Sequence, residues 1–176
     1  KALPLDGFVA KSYDAAAFVR QELGAETPLI LDHSLYSWNS AARDVFLQLA
    51  PERDTVPLEL NRSELFARDN HHSEAMVYGY LPLMTSAQCV HANTEKCDRK
   101  RGILYLKDRY GKYFPVKNNC TECYNTIYNT TPLMLFDERA DFLRMGIAAY
   151  RISFTIEEEE QAAFILDLFE RTFLSG

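Results

Sequence analysis

Four cysteines, Cys89, Cys97, Cys120 and Cys123, fall within one short stretch of the chain, and the remaining sequence contains none. Thiolates are soft ligands, so four of them sharing one site can hold a zinc ion or an iron-sulfur cluster. Cys120-Thr121-Glu122-Cys123 is a CxxC pair, which chelates one metal from a tight turn. Cys89 and Cys97 are spaced too widely for a zinc knuckle, whose ligands usually lie about two to four residues apart, and suit a cluster better. His91, two residues after Cys89, is a candidate further ligand or a hydrogen-bond donor behind the ligands. The even cysteine count also allows two disulfides or a set of buried thiols. Lys96 to Arg101 and Lys107 to Lys117 place a basic rim around the thiols that could meet an anionic ligand or only water.

A second set of chemistry-bearing residues follows short apolar runs. Lys11 comes after the first run, Asp32 and His33 after the second, and Glu59 ends the third, while Arg151 lies inside the last. In parallel α/β sheets and barrels, ligands bind beyond the carboxyl ends of the strands. Asp32, His33, Glu59 and Arg151 are therefore candidate catalytic residues, with Lys11 a candidate for gripping an acidic small molecule. Pairing among themselves as structural ion pairs is the competing expectation. His71-His72 before Glu74 is a weak metal motif, because neighbouring strand residues point to opposite faces. Cys89 with His33 or His91 is a possible nucleophile and base, although the chain carries no HExxH, GxSxG or glycine-rich phosphate loop.

Strand and helix patterns alternate in the elements that must position these groups. Leu5 to Lys11 reads as a strand and Tyr13 to Leu23 as a helix closed by Gly24. Pro28 to Asp32 is a second strand, Ser40 to Leu49 its helix, and Val56 to Leu60 a third strand. Asn61 then caps a short helix over Ser63 to Arg68, before a fourth strand at Glu74 to Gly79. The rhythm breaks between positions 80 and 131, where Ile103 to Lys107 and Lys112 to Val116 form a hairpin around Gly111. That hairpin brings Cys97 towards Cys120 and Cys123. Alternation resumes with a helix over Pro132 to Met145, a strand over Ile147 to Phe154, and a last helix capped by Thr155 with Glu158 in a capping box. Residues 1–79, 80–131 and 132–176 thus form βα units, a cysteine-rich insertion and a closing βα unit within one α/β domain. Five candidate parallel strands fit part of a barrel or a small open sheet.

The chain has 176 residues, 47% of them hydrophobic and 25% charged, with a net charge of −6, which describes a globular domain rather than a nucleic-acid clamp. It begins at Lys1 and has neither a signal-peptide pattern nor an apolar run of spanning length, so it reads as a piece of a soluble cytoplasmic protein without a membrane partner.

The run Glu74-Ala75-Met76-Val77-Tyr78-Gly79-Tyr80-Leu81-Pro82-Leu83-Met84 with Cys89, then Leu106 to Gly111, Phe114-Pro115-Val116, Cys120 and Cys123, resembles the collagenase-like bacterial peptidases of unassigned catalytic type, peptidase family thirty-two. Ile127-Tyr128-Asn129 and Arg151 to Thr155 also look like it. The resemblance covers nearly the whole chain as the second half of that family's core. It implies a partial TIM-like (β/α) barrel, with the first half supplied by a missing N-terminal segment or its edges closed by a second copy of the fragment. Glu74, Gly79 and Cys89 match the family's glutamate, glycine and second signature cysteine, whereas Pro82 stands where the earlier cysteine is expected. The ligand set is therefore not that of every member. The resemblance implies a protease or other hydrolase acting on peptides. Relatives that look like oxygen-independent hydroxylation proteins for RNA bases or quinone precursors, with RNA or a small aromatic acid as substrate, imply a four-iron four-sulfur cluster on Cys89, Cys97, Cys120 and Cys123, or zinc after purification in air. A binding or scaffold module without catalysis is the third expectation, and the fragment alone is expected to be inactive.

Overall fold

A computed structural model describes residues 4–94, 99 and 102–174, without the side chains of His91 and Thr94. In chain order its elements begin with β1 (Phe8–Ala10), α1 (Tyr13–Phe18, extended by a π turn over Val19–Leu23), β2 (Leu29–Leu31), α2 (Ser40–Leu47), β3 (Arg53–Thr55), α3 (Arg62–Ala67) and β4 (Ser73–Gly79). They continue with β5 (Pro82–Ser86), α4 (Val90–Thr94), β6 (Ile103–Lys107), β7 (Tyr113–Asn119), β8 (Tyr124–Tyr128), β9 (Leu133–Met134), α5 (Arg139–Arg144), β10 (Ala149–Ser153) and α6 (Glu159–Phe169). Two compact units divide the chain: residues 1–76 with 137–151, and residues 77–136 with 152–176.

The first unit is α/β, built on a curled parallel sheet of five strands in the order β1-β2-β3-β4-β10. Its pairing is tightly registered, with Ala10 opposite Leu31, Leu31 opposite Asp54, and Thr55 opposite Glu74. Leu29, Leu31 and Ala10 pack with Ala16 and Val19 of the first helical segment into a buried cluster. Burying such side chains stabilises by roughly 1.5–3 kcal/mol each, which is why short three-residue strands hold their place. Helix starts are secured by side chains: Ser12, Asn39 and Asn61 each accept a hydrogen bond from a first-turn N–H, and Asn61 with Glu64 completes a capping box. Arg20 fastens two helix ends at once by donating to the carbonyls of Leu49, Thr27 and Ala50.

Two elements differ from expectation here. The third strand lies at Arg53–Thr55 rather than Val56 to Leu60, because Pro57 has no N–H to give a ladder while the polar residues ahead of it are needed in buried hydrogen bonds. The helix expected from Pro132 to Met145 is confined to Arg139–Arg144, preceded by β9 and a helical turn over Phe136–Glu138.

The second unit carries a four-stranded antiparallel sheet in the order β5-β8-β7-β6. The hairpin of β6 and β7 pairs Ile103 with Lys117 through Lys107 with Tyr113. Its far strand continues into a second connection, residues 120–123, that turns β7 back into β8 and contains the CxxC pair. Strand β5 is an edge element that periodicity missed, since Pro82 to Thr85 are all exposed and show no alternation. Phe136, Phe169 and Phe173 form an aromatic core, with Phe169 and Phe173 stacked at 4.8 Å. Helix α6 starts three residues later than expected, capped by Glu158, whose N–H donates to Gln161 Oε1.

Candidate functional site

The first unit gathers four of the expected polar residues onto one face of its sheet. The register sets Thr55 beside Glu74, and Asp32 follows Leu31 at the end of β2. Thr55 Oγ1 donates to Glu74 Oε1 at 2.9 Å. Arg151, 119 residues beyond Asp32, donates to Asp32 Oδ1 through Nη1 and pairs with Glu74 Oε1 through Nη2. Ser34 Oγ lies 2.9 Å from both Asp32 Oδ2 and the Lys11 carbonyl, so its single proton serves one at a time. His33 Nδ1 stands 3.4 Å from Asp32 Oδ2, an ion-pair distance. Burial alone would raise the Asp32 pKa, but His33, through hydrogen bonding and charge, and then Ser34 and Arg151 outweigh it and hold the carboxyl below the usual carboxylate range.

This network answers its own charges. Asp32 and Glu74 are only 4% and 6% exposed, and both carboxylates take the one guanidinium between them. Lys11 joins through its carbonyl, while the Lys11 side chain is exposed. Glu59 does not join at all: it lies exposed in the turn after β3. Ser34 donates to Asp32 rather than to His33, so the three consecutive residues do not make a nucleophile and base pair.

Sequence reasoning missed a second buried network in the same unit. Asp54, on the opposite sheet face from Thr55 by strand alternation, accepts from Ser73 Oγ at 2.5 Å and Ser37 Oγ at 2.6 Å and pairs with Arg68. Asn70 holds the loop beneath by donating to the carbonyls of Leu65 and Met145. The available signal was the polar run Arg53-Asp54-Thr55 placed where a strand must start.

In the second unit the thiols meet a different environment. Cys89, Cys120 and Cys123 line one cavity of 140 Å³, together with Asn118, Asn125, Tyr124 and Arg99 of the basic rim. None of the three is disulfide-bonded. Cys89 Sγ accepts from the Ala92 N–H at 3.5 Å, and Cys123, in the left-handed region at φ 56°, directs its Sγ to the Cys120 carbonyl at 3.8 Å. Cys97 lies outside the described residues, as does the side chain of His91. Among the described residues, no group of three or more His, Cys, Asp or Glu is arranged to hold a metal ion.

Comparison with family models, curated proteins and solved structures gives no match. The site must therefore be read from its own chemistry.

Asn118 and Asn125 are the cavity residues that sequence reasoning overlooked. They are cross-strand partners on β7 and β8, 5% and 0% exposed, and the Oδ1 of each is buried without a hydrogen-bond partner among the described residues. Buried polar atoms are nearly always satisfied, and these two open acceptors belong to residues that line the thiol cavity. The signal for them was two asparagines in strands whose buried neighbours on the same face are apolar. Among the described residues, no helix is long and apolar enough to cross a membrane.

Proposed function

We propose that the chain is the thiol-bearing half of a TIM-like barrel enzyme of the collagenase-like peptidase family, using an iron-sulfur cluster for oxygen-independent hydroxylation of an RNA base or quinone precursor. The observation that carries this reading is the shared cavity of Cys89, Cys120 and Cys123, a soft donor set brought together from two separate segments of the chain. Their types suit iron or zinc, and thiolates are the usual ligands of an iron-sulfur cluster. Cys97 supplies the fourth thiolate in this reading. When bound, such a cluster provides one-electron chemistry. Asn118 and Asn125 would set its polarity, and Arg99 would offer a positive charge to an anionic substrate such as a small aromatic acid.

Peptide hydrolysis is the second reading, favoured by the partly buried imidazole and carboxylate pair, His33 and Asp32, which suits general-base use. The first half of the barrel, or a second copy of this chain, would meet the free side of β1, the sheet's end strand, where Val9 and the nearby Phe18 stay exposed. A cytoplasmic setting, where thiols stay reduced, is part of the same proposal.

The test is metal and sulfide analysis of the chain purified without oxygen. Brown protein carrying iron and acid-labile sulfide, with absorbance lost in Cys120→Ser, is the expected outcome. Protein holding neither iron nor zinc overturns it. Peptide cleavage that survives iron chelation would favour hydrolysis instead.

A further inference from the structure

We infer that Asn125 is the positioning residue of the thiol site, the clamp that holds Cys89 against the CxxC turn; this deepens the reading above and rests on it. The thiols arrive from two places in the chain. Cys120 and Cys123 sit in the connection between β7 and β8, while Cys89 follows β5. The ladder between β5 and β8 ends at Ser86 opposite Asn125, three residues short of Cys89. Beyond that last pair, the chain leading to Cys89 is tied back by the Asn125 side chain, whose Nδ2 donates to the Gln88 carbonyl at 2.9 Å and reaches the Ser86 carbonyl at 3.5 Å. The tie thus ends one residue from the thiol it positions.

The commitment of Nδ2 also fixes which way the carboxamide faces. A flipped amide would set Oδ1 against two carbonyl oxygens, so Oδ1 stays on the side without a partner. Full burial leaves the side chain no alternative position, and the neighbouring Asn118 packs against it across the strand pair. A residue chosen only for packing on this face would be apolar, as Val116 is on the neighbouring strand β7. An asparagine with one end bonded and the other open carries the cost of an unsatisfied acceptor, which a packing role does not explain.

The experiment uses dibromobimane, which bridges two nearby thiols, on the reduced metal-free chain, with bridged pairs mapped by mass spectrometry. In the parent chain, bridges from Cys89 to Cys120 or Cys123 are expected alongside the local bridge between Cys120 and Cys123. Asn125→Ala should lower the Cys89 bridges about tenfold, the upper end of what one buried hydrogen bond supports, and leave the Cys120 to Cys123 bridge unchanged. Asn125→Asp, which keeps the shape but replaces the donor, should do the same, whereas Asn118→Ala should not. Equal loss of both kinds of bridge, or no loss in either Asn125 variant with circular dichroism unchanged, overturns the clamp. Because no metal is present, failure here is distinct from failure to find iron in the anaerobic protein.

Discussion

The Asp32, Glu74 and Arg151 network and the Cys89, Cys120 and Cys123 cavity are both clusters of reactive side chains, but they are finished to different degrees. In the first, each carboxylate has a cation and further donors, and His33 Nδ1 and Arg151 Nη2, which have no hydrogen-bond partner among the described residues, are still held in ion pairs with Asp32 and Glu74. In the second, three thiols surround space and two buried carboxamide oxygens have no described partner. A set of groups that satisfies itself holds a fold together. A set left open at matched positions waits for something else. Convergence of polar residues is thus poor evidence of function until their bonding is counted, and the more strongly charged of the two clusters is the one that reads as structural.

The largest effect should come from cutting the closed network. Arg151→Met leaves Asp32 and Glu74 buried without their cation, and removing one partner of a buried pair costs about 3–5 kcal/mol; urea unfolding measures it, and a loss below about 1 kcal/mol, in the range of a surface pair, would make the network an open site after all. Acid should weaken the same network next. Because the folded Asp32 ionises below its ordinary range, its stabilisation is complete above about pH 4, the unfolded value, and is lost as pH falls towards the folded one. Unfolding midpoints at successive pH values should therefore fall more steeply below that point in the parent than in Asp32→Asn.

Gly146→Ala gives a smaller effect in the same unit. At φ 72° the new Cβ would be strained and would sit 3.1 Å from His71 Nε2, so a loss of about 1 kcal/mol is expected by thermal unfolding. The smallest effect sharpens the contrast from the other side. Cys123→Ser, at an exposed thiol, should change stability by less than about 0.5 kcal/mol, as for ordinary surface positions, while abolishing retention of the proposed cluster. A destabilisation as large as that of Arg151→Met would erase the distinction.

Much of the parallel architecture was legible, because β1, β2 and β4 are apolar runs and α1 and α2 carry clear helical spacing between good caps. The hairpin of β6 and β7 was legible from its glycine turn. What escaped were elements whose reason for existing is polar or exposed. Strand β3 is chosen by the hydrogen bonds Asp54 and Thr55 make, and β5 by pairing with β8 alone, and neither leaves a periodic trace. The gathering of Cys97 with the CxxC pair could be read from spacing, since the hairpin between them is compact, and Cys97 lies outside the described residues; the approach of Cys89 had no such signal. Asn118 and Asn125 could not, because an asparagine in a strand looks like an interruption until its partner across the ladder is known. Glu59 shows the opposite error: an acid at the expected end of a strand that the backbone forms elsewhere.

The separation of 119 positions from Asp32 to Arg151 has a consequence for the order in which a ribosome delivers the chain. Synthesis proceeds from the N-terminus, so Asp32 and Glu74 emerge long before the guanidinium that joins them. The entire thiol-bearing segment is made in the interval. The first unit therefore stays incomplete until the thiol-bearing segment has been made, and the cysteines emerge while the strand that locks the sheet is still to be translated.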